Sequence, residues 1–196
     1  MLTKFKEKIQ QTLATQATWL HNIGLKPNHL TILGIVFACL SSVFYILTQN
    51  NKFFLLIAIV FLLLSGFCDA IDGILARLYK QTTQLGGFLD SLLDRYADVL
   101  VFGGIILGNL CNLPWGLAAL CGSLLVSYSR ARAEAAGIKM ESIGFMERAE
   151  RLLLLIIASF VALFWLDALN WAIILLAFLT NLTVAQRTIY FYKKTK

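Results

Sequence analysis

The sequence predicts an all-α integral membrane protein: six transmembrane helices preceded by an amphipathic helix lying at the membrane interface. Composition is the first sign. Of 196 residues, 59% are hydrophobic and 14% charged, where soluble domains carry roughly 45–50% apolar and about 25% charged residues. The mean hydropathy of +0.75 agrees. Finally, six apolar segments can be drawn, roughly at 31–49, 53–77, 86–109, 113–130, 152–167 and 169–188. They approach the length of about 20 residues that a bilayer core demands of a helix.

In chain order, residues 3–21 carry Phe5, Ile9, Leu13, Trp19 and Leu20 among Lys and Gln, the pattern of a helix lying in the interface. It should end near "GLKPN", where Pro27 blocks continuation. The N-terminus mixes polar and apolar residues and does not read as a cleaved signal, so it is expected to be retained. Very short links join the first and second, third and fourth, and fifth and sixth segments, which makes each pair an antiparallel hairpin. Lys26, Arg77, Lys80, Arg130, Arg132, Lys139, Arg148, Arg151, Arg187 and the terminal lysines fall on one side, and only Lys52 clearly on the other. Basic loops mark the cytoplasmic face, so a multi-pass protein of the cell membrane with both termini cytoplasmic is expected. With no internal repeat or dividing linker, the chain reads as one domain over 1–196. Residues 1–28 form the interfacial helix and the loop after it, and 31–188 the bundle. Cys39, Cys68, Cys111 and Cys121 show no CxxC spacing and no nearby histidine, so they read as packing residues rather than zinc ligands. His21 and His29 are too few for a histidine metal centre.

Against this apolar background stands "CDAIDGILARLYKQTTQLGGFLDSLLDRYAD", Cys68 to Asp98. Asp69 and Asp72 are three apart, and Asp90, Asp94 and Asp98 are spaced by four, so each set lies along one helix face. An ionised residue at mid-bilayer costs roughly 2.5–3.5 kcal/mol, less near an interface, so several acids need compensation. Both sets lie at the cytoplasmic ends of consecutive spans joined by a loop of about eight residues, and antiparallel packing should bring them face to face. Converging carboxylates repel unless cations intervene, and oxygen ligands without Cys or His favour magnesium, manganese or calcium. Two such ions serve displacement at phosphorus. Gly73, Gly86 and Gly87 leave room for a ligand near the backbone, and Arg77 points to an anionic one. Asp94, one turn deeper than Asp90, is positioned to take a proton from an incoming hydroxyl. The motif offers no Ser or Cys for a covalent route, so direct attack is expected.

The run from Asp69 to Asp94, Asp-x2-Asp-Gly-x2-Ala-Arg-x8-Gly-x3-Asp-x3-Asp, resembles the signature of the CDP-alcohol phosphotransferases at Asp69, Asp72, Gly73, Ala76, Arg77, Gly86, Asp90 and Asp94. The resemblance extends over essentially the whole chain. It implies a helical membrane bundle that moves a phosphatidyl-type group from a CDP-linked lipid to an alcohol and releases CMP. It also implies two Mg²⁺ ions, with Mn²⁺ a possible substitute, on Asp69, Asp72 and Asp90, with Asp94 a ligand of the second metal or the base. Asn28, Thr31, Gly73, Arg77 and Thr83 would contact the CDP-lipid, and the family implies a homodimer. No nucleic-acid partner is expected.

A second cluster concerns the acceptor. "SYSRARAEAAG" and "GFMERAERL" place Arg130, Arg132, Arg148 and Arg151 on the same side as the aspartates. Guanidinium groups match phosphate, whereas charge needed only for topology requires no companion Glu134, Glu147 and Glu150. Ser-x2-Arg-x-Arg-Ala-Glu followed by Glu-Arg-x-Glu-Arg is similar to the phosphatidylinositol phosphate and archaetidylinositol phosphate synthase branch, which uses inositol 1-phosphate. Ser127, Arg130, Arg132, Arg148 and Arg187 match positions lining the acceptor phosphate pocket of that branch. Arg130 departs from the bacterial pattern, which usually has Lys there, while the archaeal branch tolerates Arg. The expected donors are therefore CDP-archaeol or CDP-diacylglycerol. Apolar helix faces do not distinguish ether from ester tails.

Glycerol 3-phosphate is the nearest rival acceptor, since it needs a phosphate site too. A cation or proton transporter would place its acids at the membrane midplane. Here they cluster at one end with glycines and Arg77.

Overall fold

The computed structural model describes residues 14–140 and 143–196. After a short helical stretch at 14–22 come α1 (Pro27–Leu47), α2 (Phe53–Leu78), α3 (Gln84–Leu107), α4 (Leu113–Ala135), α5 (Arg148–Ala162) and α6 (Asp167–Thr195). Among the described residues there is no strand. Each helix overlies one of the six apolar segments. Three of them, α1, α2 and α6, are long and apolar enough to cross a membrane. The polar side chains of the site dilute the others: α3 carries Asp90, Asp94, Arg95 and Asp98, α4 ends in Arg130, Arg132 and Glu134, and α5 opens on Arg148, Glu150 and Arg151.

Boundaries differ from the sequence reading where polar residues join the helices. Pro27 begins α1 instead of merely ending what precedes it, because its missing N–H costs nothing at a first helical position. The α2–α3 connection spans only 79–83. It is shorter than eight residues because Thr83 caps α3, its Oγ1 accepting from the Gly86 N–H at 2.9 Å, which draws both glycines into the first turn. Phe5, Ile9 and Leu13 of the expected interfacial helix lie outside the described residues. In its described part, Trp19 is exposed while Ala17 is buried in a cluster with Leu30, Ile71 and Leu75. His21 stacks on Tyr79 with ring centroids 3.6 Å apart, which ties this stretch to the α2–α3 connection.

The acid-bearing helices α2 and α3 do not pack closely along their backbones. Each packs on α1 instead, and α5 lies against α2 and α6, while α4 bridges α3 and α6. Helix α1 supplies the apolar surface that α2 and α3 share. Its hold on α3 depends on Gly104, where a β-carbon would stand 2.7 Å from the Cα and carbonyl oxygen of Ser42. Several buried polar groups in this core pair off. Ser65 Oγ donates to the Gly34 carbonyl at 2.9 Å, Ser41 Oγ to the Ala58 carbonyl at 2.9 Å, and the Tyr45 and Ser159 hydroxyls are 2.7 Å apart. All four cysteines are free. Burial raises the Cys111 thiol, in the α3–α4 turn, to about 11, so it stays protonated and inert at neutral pH.

Candidate active site

Asp69 from α2 and Asp90 and Asp94 from α3 each place one carboxylate oxygen within 4.8 Å of the others. The three are partly buried and lie on neighbouring turns of two helices, so helical spacing alone brings them to one point. Asp72 faces the same cavity but is held differently, its Oδ2 accepting from Thr31 Oγ1 of α1 at 2.7 Å. It is the most buried acid of the set, 5% exposed. The donor set contains only hard oxygens, which fits magnesium or manganese and not zinc. A cation already stands among them: Arg148 Nη1 lies 2.5 Å from Asp69 Oδ1 and 2.8 Å from Asp94 Oδ1.

Two pockets open from this centre. One, of about 180 Å³, is bounded by Asp72 and Asp90 and walled by Asn28, Thr31, Gly73, Arg77, Thr83 and Gly86. All five residues expected to contact the CDP-lipid therefore line one space. Gly86 keeps it open, since a β-carbon there would meet Thr83 Oγ1 at 2.9 Å and Asn28 Oδ1 at 3.4 Å. The Arg77 guanidinium lies over Gly73, 3.5 Å from where a side chain would begin.

The other pocket, of about 140 Å³, begins at Asp94 and is walled by Ser127, Arg130, Glu147, Arg148 and Arg187, together with Arg95 and Arg151. Its two ends are braced differently. Arg130 Nε donates to Glu134 at 2.9 Å on the partly exposed α4 surface. Arg187 is 2% exposed and reaches inward from α6. Its Nε donates to the Ile143 carbonyl at 2.8 Å, its Nη1 donates to the Val126 carbonyl, and its Nη2 faces Glu147 at 3.5 Å. Arg187 thereby clamps the segment between α4 and α5 as well as facing the pocket. Of the residues expected there, Arg132 alone is apart: it is exposed and not among the lining side chains.

Asp98, the fifth acid of the motif, turns away from the centre. Its Oδ2 accepts from Arg151 Nη2 at 2.8 Å, and its Oδ1 lies 3.8 Å from Arg148 Nε. Arg151 is 2% exposed and also donates to the Met146 carbonyl at 3.4 Å. Asp98 thus fastens the first turn of α5 to α3. Sequence reasoning missed Arg95 as a member of the anion-facing wall, and it placed Arg151 in the arginine cluster without counting it among the residues that hold the acceptor's phosphate. The Arg95 signal was available in its position directly after Asp94, where its Nη1 lies 3.6 Å from Asp94 Oδ2.

Comparison with known proteins bears on this geometry. Residues 25–185 match the family described as CDP-alcohol phosphatidyltransferase. An archaetidylinositol phosphate synthase of Pyrococcus horikoshii is 39% identical over 194 residues, which cover 99% of this chain and 97% of that protein. Another, of Methanothermobacter thermautotrophicus, is 37% identical over 200 residues, covering 100% and 96%. Among solved structures, the phosphatidylinositol phosphate synthase of Mycobacterium tuberculosis with CDP-DAG bound superposes with a TM-score of 0.79 at 28% identity, covering 93% of this chain and 94% of that one. The same enzyme in complex with manganese and citrate gives 0.79 at 29% identity, covering 92% and 88%.

Proposed function

Because this chain belongs to the CDP-alcohol phosphatidyltransferase family, we propose that it transfers a phosphatidyl- or archaetidyl-type group from a CDP-linked lipid to the hydroxyl of inositol 1-phosphate, releasing CMP. One observation carries the reading: the acid cluster stands at the junction of two pockets, one walled by Gly73, Arg77 and Thr83 and the other by arginines. A donor and a phosphorylated acceptor held in those two spaces meet at the acids. The relatives' names favour inositol phosphate as the acceptor. The manganese complex of the mycobacterial enzyme supports divalent metal use.

Asp69, Asp72, Asp90 and Asp94 would hold Mg²⁺ ions, which when bound neutralise charge on the attacked pyrophosphate and on the departing CMP. The chain's own residues do the rest. Asn28, Thr31, Gly73, Arg77 and Thr83 seat the cytidine diphosphate portion of the donor. Ser127 and Arg130, with Arg148 and Arg187, hold the acceptor's phosphate and so aim its free hydroxyl at the donor phosphorus. Asp94 borders both the acid cavity and the acceptor pocket, and it accepts the hydroxyl proton as the new P–O bond forms. The P–O bond to CMP breaks in the same displacement. Fixing both partners beside the base converts an encounter of two solutes into a reaction within one complex.

The membrane setting completes the proposal. All six helices span the bilayer as antiparallel neighbours, with the polar ends of α3, α4 and α5 gathered at the cytoplasmic side. Both termini and the active site face the cytoplasm, and the protein works as a homodimer. The deciding experiment is CMP release by the purified protein with Mg²⁺ and a CDP-lipid, comparing inositol 1-phosphate, glycerol 3-phosphate and free inositol. Release with inositol 1-phosphate alone is expected. Release with glycerol 3-phosphate instead would retain the displacement mechanism and overturn the acceptor.

A further inference from the structure

Arg148 occupies the place where the two halves of the site compete. Its Nη1 lies 2.5 Å from Asp69 Oδ1 and 2.8 Å from Asp94 Oδ1, so the same carboxylate oxygens that would face a metal face a guanidinium. Asp69 and Asp94 are two of the three acids whose oxygens converge within 4.8 Å. The same side chain borders both the acid cavity and the arginine-lined pocket. It stands in the partition between them.

We infer that Arg148 is a built-in counter-cation for the acid cluster, which a divalent ion displaces, and that this displacement hands its guanidinium to the acceptor's phosphate. The inference rests on the metal and acceptor sites proposed above. Its first support is charge. The Arg148 guanidinium lies against two of the three clustered acids, and Arg95 Nη1 lies 3.6 Å from Asp94 Oδ2, so positive charge already faces the oxygens a metal would use. A divalent ion drawn to those acids would be repelled by a guanidinium already on them, so occupancy by one weakens the other.

The second support is that Arg148 is incompletely satisfied in this pose. Its Nε is buried without a hydrogen-bond partner, and Asp98 Oδ1 lies 3.8 Å from it, beyond bonding distance. A buried donor left unmade is costly, so the pose is one that a better set of acceptors can replace. A phosphate in the adjoining pocket offers such acceptors, and a guanidinium matches it with paired bonds. Asp98 then serves as the tether. Fixed to Arg151 at 2.8 Å, it holds the first turn of α5 in place while the long Arg148 side chain changes partner.

The consequence is coupling between two ligands that occupy different pockets. Metal binding raises acceptor affinity, and by linkage the acceptor raises metal affinity by the same factor. Before metal loading the Arg148 guanidinium is engaged by Asp69 and Asp94 although it borders the acceptor pocket, so a phosphorylated polyol is held less tightly beside an unready donor site.

The test uses the full-length purified protein without CDP-lipid and reads Mn²⁺ binding from the electron paramagnetic resonance signal of the free ion. In Arg148→Met, which removes the competing charge and keeps much of the volume, Mn²⁺ should bind at least about fivefold more tightly than in wild type, the lower end of ordinary coupling factors. Inositol 1-phosphate binding is measured in parallel with and without Mn²⁺. Its gain from Mn²⁺ in wild type should shrink in Arg148→Met. Equal or weaker Mn²⁺ binding by the variant would overturn the inference. If Arg148→Met does not fold, Arg148→Lys, whose single ammonium cannot fork between two carboxylates, should still bind Mn²⁺ more tightly than wild type, and equal or weaker binding again overturns it. Wild-type Mn²⁺ affinity that survives Asp69→Asn and Asp94→Asn would instead reject the underlying metal site.

Discussion

Asp98→Ala should cost more stability than any other single acid-to-alanine change in the motif, although Asp98 faces away from the chemistry. The substitution strands Arg151, which is 2% exposed and 2.8 Å from the lost carboxylate. Unit charges about 4 Å apart interact by about 4 kcal/mol at an effective dielectric of about 20. Removing one partner of a buried pair typically costs about 3–5 kcal/mol, because the survivor remains desolvated. Arg151 keeps only a long bond to the Met146 carbonyl, 3.4 Å, so little of this is recovered. At about 2–4 °C per kcal/mol for a chain of this size, the loss is about 6–20 °C in Tm, readable by thermal unfolding of the purified protein. Arg151→Met should cost less, since Arg148 Nε remains 3.8 Å from Asp98. The double variant Asp98→Ala/Arg151→Met should regain at least half of what Asp98→Ala loses, because both charges then leave together. No regain, or a Tm within about 2 °C of wild type for Asp98→Ala, would refute the ion pair as the fastening of α5 to α3.

Asp94→Asn should lower CMP release by about 10²–10⁴-fold, the usual range for a lost general base, while CDP-lipid binding measured by titration stays near wild type. Arg130→Ala should raise KM for inositol 1-phosphate about tenfold or more with little change in KM for the CDP-lipid, as expected for one lost charge-assisted bond. Arg132→Ala, at an exposed position outside the pocket wall, should give the smaller effect of the two. Thorough chelation of divalent ions should stop CMP release, and either Mg²⁺ or Mn²⁺ should restore it. Gly104→Ala should destabilise the protein by about 1–3 kcal/mol in denaturant titration, because its β-carbon would press on the Ser42 backbone and push α1 from α3.

The helices were legible in the sequence because their cores are apolar and their breaks are marked by Pro27, Thr83 and the short turns. All six apolar segments found their helix, yet the ends drifted by several residues. Helix propagation is decided by backbone hydrogen bonding and caps, and charged residues such as those at 148–151 join a helix readily once a carboxylate receives them. The acid cluster was legible for the same reason that it is expensive. Asp69 and Asp72 on one segment and Asp90, Asp94 and Asp98 on the next recur at helical spacing in otherwise mostly apolar runs, and only a site would keep so many acids there.

The partners of those acids were not legible, and the reason is a degeneracy between topology and chemistry. Arginines collect at the cytoplasmic ends of membrane helices whether or not they bind anything, so composition assigns Arg130, Arg132, Arg148, Arg151 and Arg187 the same meaning. Three dimensions separate them: Arg148 enters the acid cluster, Arg151 and Arg187 are buried clamps, and Arg132 is exposed. Spacing could not predict this, because the deciding contacts cross from α5 to α2 and α3 and from α6 to the segment before α5. Each arginine's role is set by which carboxylate or carbonyl reaches it first. Charge reversal at Asp98 should therefore disturb the anion pocket more than charge removal at Arg132, though only the latter carries the charge that a phosphate would seek.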